Sequence, residues 1–293
     1  MDETVWAIVV HGGAKTIQPD TAEAHRRGCA IAAEAGAEIL RRGGSAIDAA
    51  LRAVRILEDD PTFNAGQGSV KNAAGETEMD AAIMDGKTLA IGAVAAARRL
   101  ANPIEAAAAL LEAPAILLVG EGADRFGYNI GLRCIDPASL PASPVQSPGH
   151  DTVGCVAIDR AGHIAAATST GGLEGTLPGR VGDAPLPGCG FYADDRIGGV
   201  SLSGEGEAIA RCLLGSRVMR AMENEPADEA VTVIFEPMDR LAAEAGVIAI
   251  DAAGRIGIAH NSDHFALACA SSACPGVISA IHQNELKVSE PDD

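Results

Sequence analysis

The chain has 293 residues, 47% of them apolar but only 3% aromatic, with 34 glycines. That suits one large domain or two ordinary ones, with a sizeable core built from Ala, Val, Ile and Leu. A formal net charge of −18 excludes nucleic acid and an anionic membrane as partners, because polyanions need clustered Lys and Arg; an anionic substrate would need a local arginine that outweighs the global field.

The N-terminus, MDETVWAIVVHGG, starts acidic and its apolar run is short, so it reads as neither a signal peptide nor a membrane span. Residues 5–10 (VWAIVV) predict a buried strand that ends at His11-Gly12-Gly13 in a tight loop. Residues 21–42 are Ala-rich and stop at Gly43-Gly44, which predicts a helix with a glycine stop. Ser45 reads as the N-cap of a second helix that runs to Glu58. Asn102-Pro103 predicts a cap and first turn for a helix to Glu112, and AILLVG (115–120) another buried strand.

The polar, proline-dotted segment 136–151 reads as a linker. After it, TVGCVAID and HIAAATST flank the turn Asp159-Arg160-Ala161-Gly162, a hairpin signal. VAIDRAGHIAAA (156–167) is matched later by IAIDAAGRIGIA (248–259). Two like hairpins, with helices between them at 204–223 and 227–245, predict two sheets covered by helices. A doubly wound parallel sheet would alternate strand and helix throughout.

The seven cysteines are odd in number and form no CxxC pair, which predicts reduced thiols in a cytoplasmic protein. The glycine-rich stretches HGGA, NAGQG and GEGE fit no nucleotide-binding loop, and the histidines form no HExxH. Glycines of this kind serve turns, and they also let backbone donors approach a small ligand closely.

HDTVG (150–154) stands where the linker meets a strand. It is either a turn or a cleavage site. If the bond before Thr152 breaks, its new α-amino group, with a pKa of about 7.7–8.0, becomes the base for its own hydroxyl. His150 and Asp151 would assist that cut. The segment TSTGGLEGTLPGRVGDAPLPGCGFYADD (168–195) is too rich in Gly and Pro for regular structure and too long for a plain connection. Within it, Arg180 and Asp183 form either a surface ion pair or a clamp for an α-carboxylate and an α-ammonium.

The stretch from HDTVGCVAID to GCGFYADD closely resembles the nucleophile segment of plant-type asparaginases, also called isoaspartyl peptidases. IVVHGGA, ILEDDPTFNAGQGSV, EMDAAIMDG, NPIEAA, VGEGA, SLSGEGE and GVIAIDAAG are similar to family segments and stand in family order. The resemblance implies an α+β fold, the αββα four-layer sandwich of the N-terminal-nucleophile hydrolases. It implies a single domain, cut by its own threonine into an α chain (1–151) and a β chain (152–293), and a homodimer of such αβ units. It implies Thr152 as nucleophile and base, oriented by Thr170, with Ser203 where the family has a second threonine. Arg180 and Asp183 would bind the substrate's charged groups, with backbone contacts from Gly204 and Gly206. Asn64, with the strained loop at Gly12 and Gly13, would lie near the oxyanion. The segment from Leu57 to Gln67 resembles a loop that wraps a structural sodium with main-chain oxygens of Leu57, Glu58, Asp60, Phe63, Ala65 and Gln67; catalysis itself would use no cofactor. The expected substrates are a β-aspartyl dipeptide or L-asparagine. Asp151, where such asparaginases usually have Gly, resembles the sister glycosylasparaginases, so cleavage of a sugar–Asn bond is one alternative. An uncut amino-acid-binding protein is the other.

Overall fold

The computed structural model describes residues 5–136 and 152–286. The first strand, β1 (Ala7–Lys15), is buried along its whole length. It is longer than the six residues expected, because it continues through the HGG stretch by a bulge between His11 and Ala14. Helix α1 (Ala22–Arg41) ends where expected, with Gly43 at a φ of 80°. Helix α2 (Ala46–Asp59) starts at Ser45, whose Oγ accepts the Asp48 N–H at 3.1 Å. Strands β2 (Met79–Asp85) and β3 (Ile91–Ala97), which sequence periodicity left unread, form a hairpin. Helix α3 (Pro103–Leu110) has Pro in its first turn, but Asn102 makes no capping bond and instead donates to Asp59 at 3.0 Å. Strand β4 (Leu117–Val119) is an edge strand, half-exposed rather than buried, and is followed by α4 (Glu121–Asn129).

Strands β5 (Val153–Ile158) and β6 (Ile164–Thr170) are the first expected hairpin. The segment 168–195, expected to be irregular, is so only between its ends: β6 runs into it as far as Thr170, and it closes on a further strand, β7 (Phe191–Asp194), which pairs with β8 (Gly198–Gly204). The two long helices expected next are each broken. Left-handed Leu213 (φ 49°) separates α5 (Gly206–Cys212) from α6 (Leu214–Met222). A 3₁₀ turn, Val231–Ile234, separates α7 (Ala227–Ala230) from α8 (Phe235–Leu241). The second expected hairpin is β9 (Ala245–Asp251) with β10 (Ile256–His260), and β11 (His264–Ser271) and β12 (Ile278–Ala280) complete the chain's strands among the described residues.

Eight strands form one sheet in the order β12-β11-β1-β5-β6-β2-β3-β4, and four form another in the order β10-β9-β8-β7. The pairing is antiparallel except for β3 with β4. Side-chain alternation builds the layers. Ala81, Ile83, Val153, Cys155 and Ala167 face α1, α2 and α3. Their neighbours Ala82, Met84, Val156 and Ala166 face Phe191, Ile248 and Ile250 of the small sheet. Val200, Leu202, Val247 and Ala249 face α6, the 3₁₀ turn and Met238 of α8. The result is the α+β, αββα arrangement, with one of the two like hairpins in each sheet.

Candidate active site

Three polar side chains share one row of the large sheet. The β6–β2 register sets Thr170 opposite Asp80. The β5–β6 register sets Val153 opposite Ser169, and one more step along it sets Thr152 opposite Thr170. Residues paired across strands project to the same face, here the face toward the small sheet. Thr152 and Thr170 are both buried, and the Thr170 Oγ1 accepts the Gly172 N–H at 3.2 Å.

On the other flank β1 pairs with β5 up to His11 and Gly154, and the Gly12–Gly13 bulge then stands where Thr152 enters. Gly13 has a φ of 105°, and a Cβ on Gly12 would strike the Phe63 ring. The bulge aims the Ala14 N–H at Ser203 Oγ, 3.1 Å away on β8. His11 Nε2 and Ser201 Oγ are 2.8 Å apart, and the ring stacks on Phe265 at 5.3 Å between centroids. Burial pushes the His11 imidazole down to about 3, only partly opposed by the Thr152 main chain. The imidazole is therefore neutral.

Asn64 is a staple between two loops. Its Nδ2 donates to the Gly172 carbonyl at 2.7 Å, its Oδ1 accepts the Val70 N–H at 3.0 Å, and its own carbonyl accepts the Gly171 N–H at 2.8 Å. A Cβ on Gly171 would meet this Asn64 oxygen and Ser69. The loop that follows Thr170 is thus tied to the Asn64 loop at both Gly171 and Gly172.

Arg180 and Asp183 come together with Gly206. A Cβ on Gly206 would lie 2.7 Å from Asp183 Oδ1 and 3.0 Å from Arg180 Nη2. Arg180 Nε and Nη2 donate to Glu207 Oε1 and Oε2 at 2.9 and 2.7 Å. Asp183 is buried, its Oδ2 has no hydrogen-bond partner, and burial raises its carboxyl to about 7 despite the nearby Arg180. An unpaired buried carboxylate oxygen beside a partly used guanidinium suits a zwitterionic ligand. Glu78 fixes the start of this loop by accepting the Gly179 N–H at 2.7 Å. Gly204 reaches a φ of 142° at the end of β8, where a Cβ would strike the Glu244 carbonyl.

His150 and Asp151 lie outside the described residues. The Leu57–Gln67 segment closes on itself: a Cβ on Gly66 would strike the Glu58 carbonyl, and one on Gly68 the Phe63 carbonyl. The carbonyls of Asp60, Phe63 and Ala65 also accept the main-chain N–H groups of Phe63, Ala65 and Gly68. Main-chain carbonyl oxygens are the donor type a hard cation takes, and three of the six that the resemblance implies for sodium already accept a main-chain N–H.

Asp80, His11, Ser201 and Glu207 belong to this site and were not singled out from the sequence. Asp80 carried a signal, as an acid inside the apolar run MDAAIMD. His11 and Glu207 sat within segments that carry the resemblance, but nothing local marked their roles.

Comparison with known proteins accords with this geometry. The asparaginase family model matches residues 4–146 and 139–277. An isoaspartyl peptidase/L-asparaginase of Danio rerio is 44% identical over 267 residues, covering 83% of this chain and 85% of that protein. The protein of that name from Rattus norvegicus is 42% identical over 268 residues, 84% and 80% of the two chains. An isoaspartyl peptidase of Salmonella typhimurium is 37% identical over 288 residues, 87% and 92%. The family match spans both sides of Thr152, and with relatives this similar over most of their length the chain belongs to the asparaginase family of N-terminal-nucleophile hydrolases.

Proposed function

We propose that the chain cuts itself between Asp151 and Thr152 and then hydrolyses β-aspartyl dipeptides and the side-chain amide of L-asparagine. One observation carries this reading. Asp183, which meets Arg180 around Gly206, keeps a buried carboxylate oxygen with no hydrogen-bond partner, which supports a clamp for the charged groups that both substrates share. Relatives that bear the names isoaspartyl peptidase and L-asparaginase support the same reading.

The freed α-amine of Thr152 takes the proton of its own hydroxyl, and Oγ attacks the β-carbonyl carbon of the substrate. Arg180 holds the α-carboxylate and Asp183 the α-ammonium, groups that both substrates share. The oxyanion forms on the side of the Gly12–Gly13 bulge, beside the Ser203 hydroxyl. The amine returns its proton to the departing ammonia or amino acid. Water then attacks the β-aspartyl ester on Thr152, again with the amine as base, and aspartate leaves. These steps need no cofactor. A sodium ion in the Leu57–Gln67 segment would brace the end of α2 against the Asn64 loop. Seven free cysteines support a reducing, cytoplasmic setting, and no helix among the described residues is long and apolar enough to cross a membrane. The assembly is a homodimer of αβ units.

The test is intact mass under denaturing conditions, combined with product release from L-asparagine and a β-aspartyl dipeptide. Two fragments meeting at Asp151/Thr152 and release of aspartate are expected. An uncut chain inert to both substrates would sink the reading.

A further inference from the structure

The loop that carries Arg180 is open on its outer side. Leu177 is 79% exposed, and nothing lies within 4 Å of where a Cβ on Gly175 or Gly179 would stand. Packing therefore does little to place the residues just before the guanidinium, and hydrogen bonds do more. The Gly179 N–H, one residue before Arg180, donates to Glu78 Oε2 at 2.7 Å. Two further bonds tie the loop to a turn around Asn72. The Ala73 N–H donates to the Thr176 carbonyl at 2.8 Å, and the Gly175 N–H to the Lys71 carbonyl at 3.0 Å. Asn72 shapes that turn by accepting the Ala74 and Glu76 N–H groups on Oδ1. Its Nδ2 donates to the same Glu78 Oε2 at 3.0 Å.

Glu78 is buried, and its other oxygen is also held. Oε1 accepts Arg98 Nη2 at 2.6 Å and Nε at 3.2 Å. Arg98 in turn pairs with Glu76 at 3.0 Å, and its main-chain N–H donates to Asp124 at 3.0 Å. One carboxylate thus collects four donors from the Asn72 turn, the residue after β3 and the clamp loop. Hydrogen bonds to a charged acceptor are the stronger kind. Glu78 also directly precedes β2, whose Asp80 stands opposite Thr170, and Thr170 stands opposite Thr152. A strand of the large sheet therefore leads from the nucleophile row to the side chain that holds the clamp loop. The substrate bridges the same two parts. Its α-carbon is held at the clamp, and its scissile carbonyl, a single methylene away, must reach Thr152 Oγ.

We propose that Glu78 is a positioning residue for the hydrolysis: its carboxylate, held by Arg98 at the start of β2, anchors Gly179 and the Asn72 turn, and so sets where Arg180 meets the substrate α-carboxylate relative to Thr152. This rests on the amidohydrolase reading above. The effect of Glu78 runs through Gly179 to Arg180.

Glu78→Gln tests it. An amide has a single oxygen. The Arg98 cation takes it, and the amide nitrogen is left facing two donors, the Gly179 N–H and Asn72 Nδ2. In the cut variant, KM for L-asparagine and the β-aspartyl dipeptide, and the Kd for L-aspartate by calorimetry, should rise about tenfold. The fall in kcat should be smaller, about threefold. Glu78→Asp keeps the charge but is one methylene too short to reach Arg98 and Gly179 together, so it should raise KM and Kd in the same way. A role in folding alone would lower the amount of active protein and leave KM and Kd at the parent values. That result, in whichever variant is soluble and cut, would overturn the proposal, as would failure of both variants to fold. A parent protein that binds L-aspartate but hydrolyses neither substrate would count against the amidohydrolase reading instead, and the Kd would still decide the role of Glu78. A parent that neither binds nor hydrolyses would overturn both.

Discussion

Arg180 gives one edge of its guanidinium to Glu207, with Nε and Nη2 on the two carboxylate oxygens at 2.9 and 2.7 Å. The other edge, which carries Nη1, points to where a Cβ on Gly182 would stand, 2.8 Å away. A guanidinium offers five N–H donors in a fixed plane. Glu207 can thus hold that plane while the second edge receives a substrate carboxylate, and the ion pair with Glu207 does not have to break for binding.

Arg180→Lys should show this division. A lysine carries the charge but cannot serve two carboxylates in one plane. We expect kcat/KM for L-asparagine to fall by about 10²-fold, mostly through KM. Glu207→Gln keeps an acceptor and loses the charge. Because Glu207 is largely exposed, its effect should be smaller, about threefold in KM. Steady-state kinetics on both variants check the ranking, and a larger loss in Glu207→Gln than in Arg180→Lys would contradict it.

Gly206→Ala should weaken binding without unfolding the protein. The added methyl would meet Asp183 Oδ1 and Arg180 Nη2 at 2.7 and 3.0 Å, both closer than a carbon normally approaches. The two clamp groups must spread to accept it. A rise of about tenfold in KM is expected, with a melting temperature near that of the parent, since alanine favours the first turn of α5 over glycine. An unchanged KM would mean that the clamp tolerates a methyl at its centre.

Binding of the product L-aspartate should depend on Asp183 in its charged form. Burial raises this carboxyl to about 7; Arg180 lowers it, and Glu207 and Asp80 raise it further. Below that pH the free protein holds a neutral acid, which does not attract an ammonium. The inhibition constant of L-aspartate should therefore rise as pH falls from about 7 toward 5, and level off above about 8. Asp183→Asn should bind more weakly at every pH and lose most of this slope. What slope remains belongs to Asp80, which burial raises to about 7 in the same way, and to the freed Thr152 α-amine, which titrates at about 7.7–8.0. Competitive inhibition across that range is the measurement, and an equal slope in parent and variant would remove Asp183 from the account.

The sequence is most informative where one local pattern decides a structure. Ser45 before an amphipathic run marks the start of α2, and the glycine pair after Arg42 marks the end of α1. The two like hairpins told that there would be two sheets. Reading failed where tertiary contact decides. Nothing local says that HGG continues a strand by a bulge, since the bulge exists because β5 and β11 pair with both sides of β1. Nothing local says that Leu213 breaks a helix, because the left-handed turn follows from α6 packing back on β8. The site behaves likewise. The resemblance implies Thr152, Thr170, Arg180 and Asp183, and Asp80 shows in the sequence as an acid in an apolar run, but strand register alone sets it opposite Thr170 and loop placement alone sets Glu207 on Arg180.

The two hairpins also make a prediction about stability, because their aspartates are used alike. Asp159 Oδ1 accepts the N–H groups of Ala161 and His163 at 2.9 and 3.1 Å, and Oδ2 the Ala46 N–H at the start of α2 at 3.1 Å. Asp251 Oδ1 accepts those of Ala253 and Arg255 at 2.9 and 3.0 Å, and Oδ2 the Ala227 N–H at the start of α7 at 3.2 Å. Each carboxylate closes a hairpin turn with one oxygen and caps a helix on the outer layer with the other. Replacing either by alanine strands three main-chain donors, two of them in a turn that water can reach; Asp251 also gives up the Arg255 Nε–H at 2.7 Å, a largely exposed side chain. The loss should be about 2 kcal/mol in each case, with the buried helix donor carrying most of it. The turns stand at the far end of their sheets from Thr152, so KM should not move. Urea midpoints of the cut protein, read with KM for L-asparagine, check both statements. Asp251→Ala should be no milder than Asp159→Ala, because α7 has a single turn and depends more on its cap. Equal midpoints in parent and both variants would mean that the shared geometry is inherited without being needed.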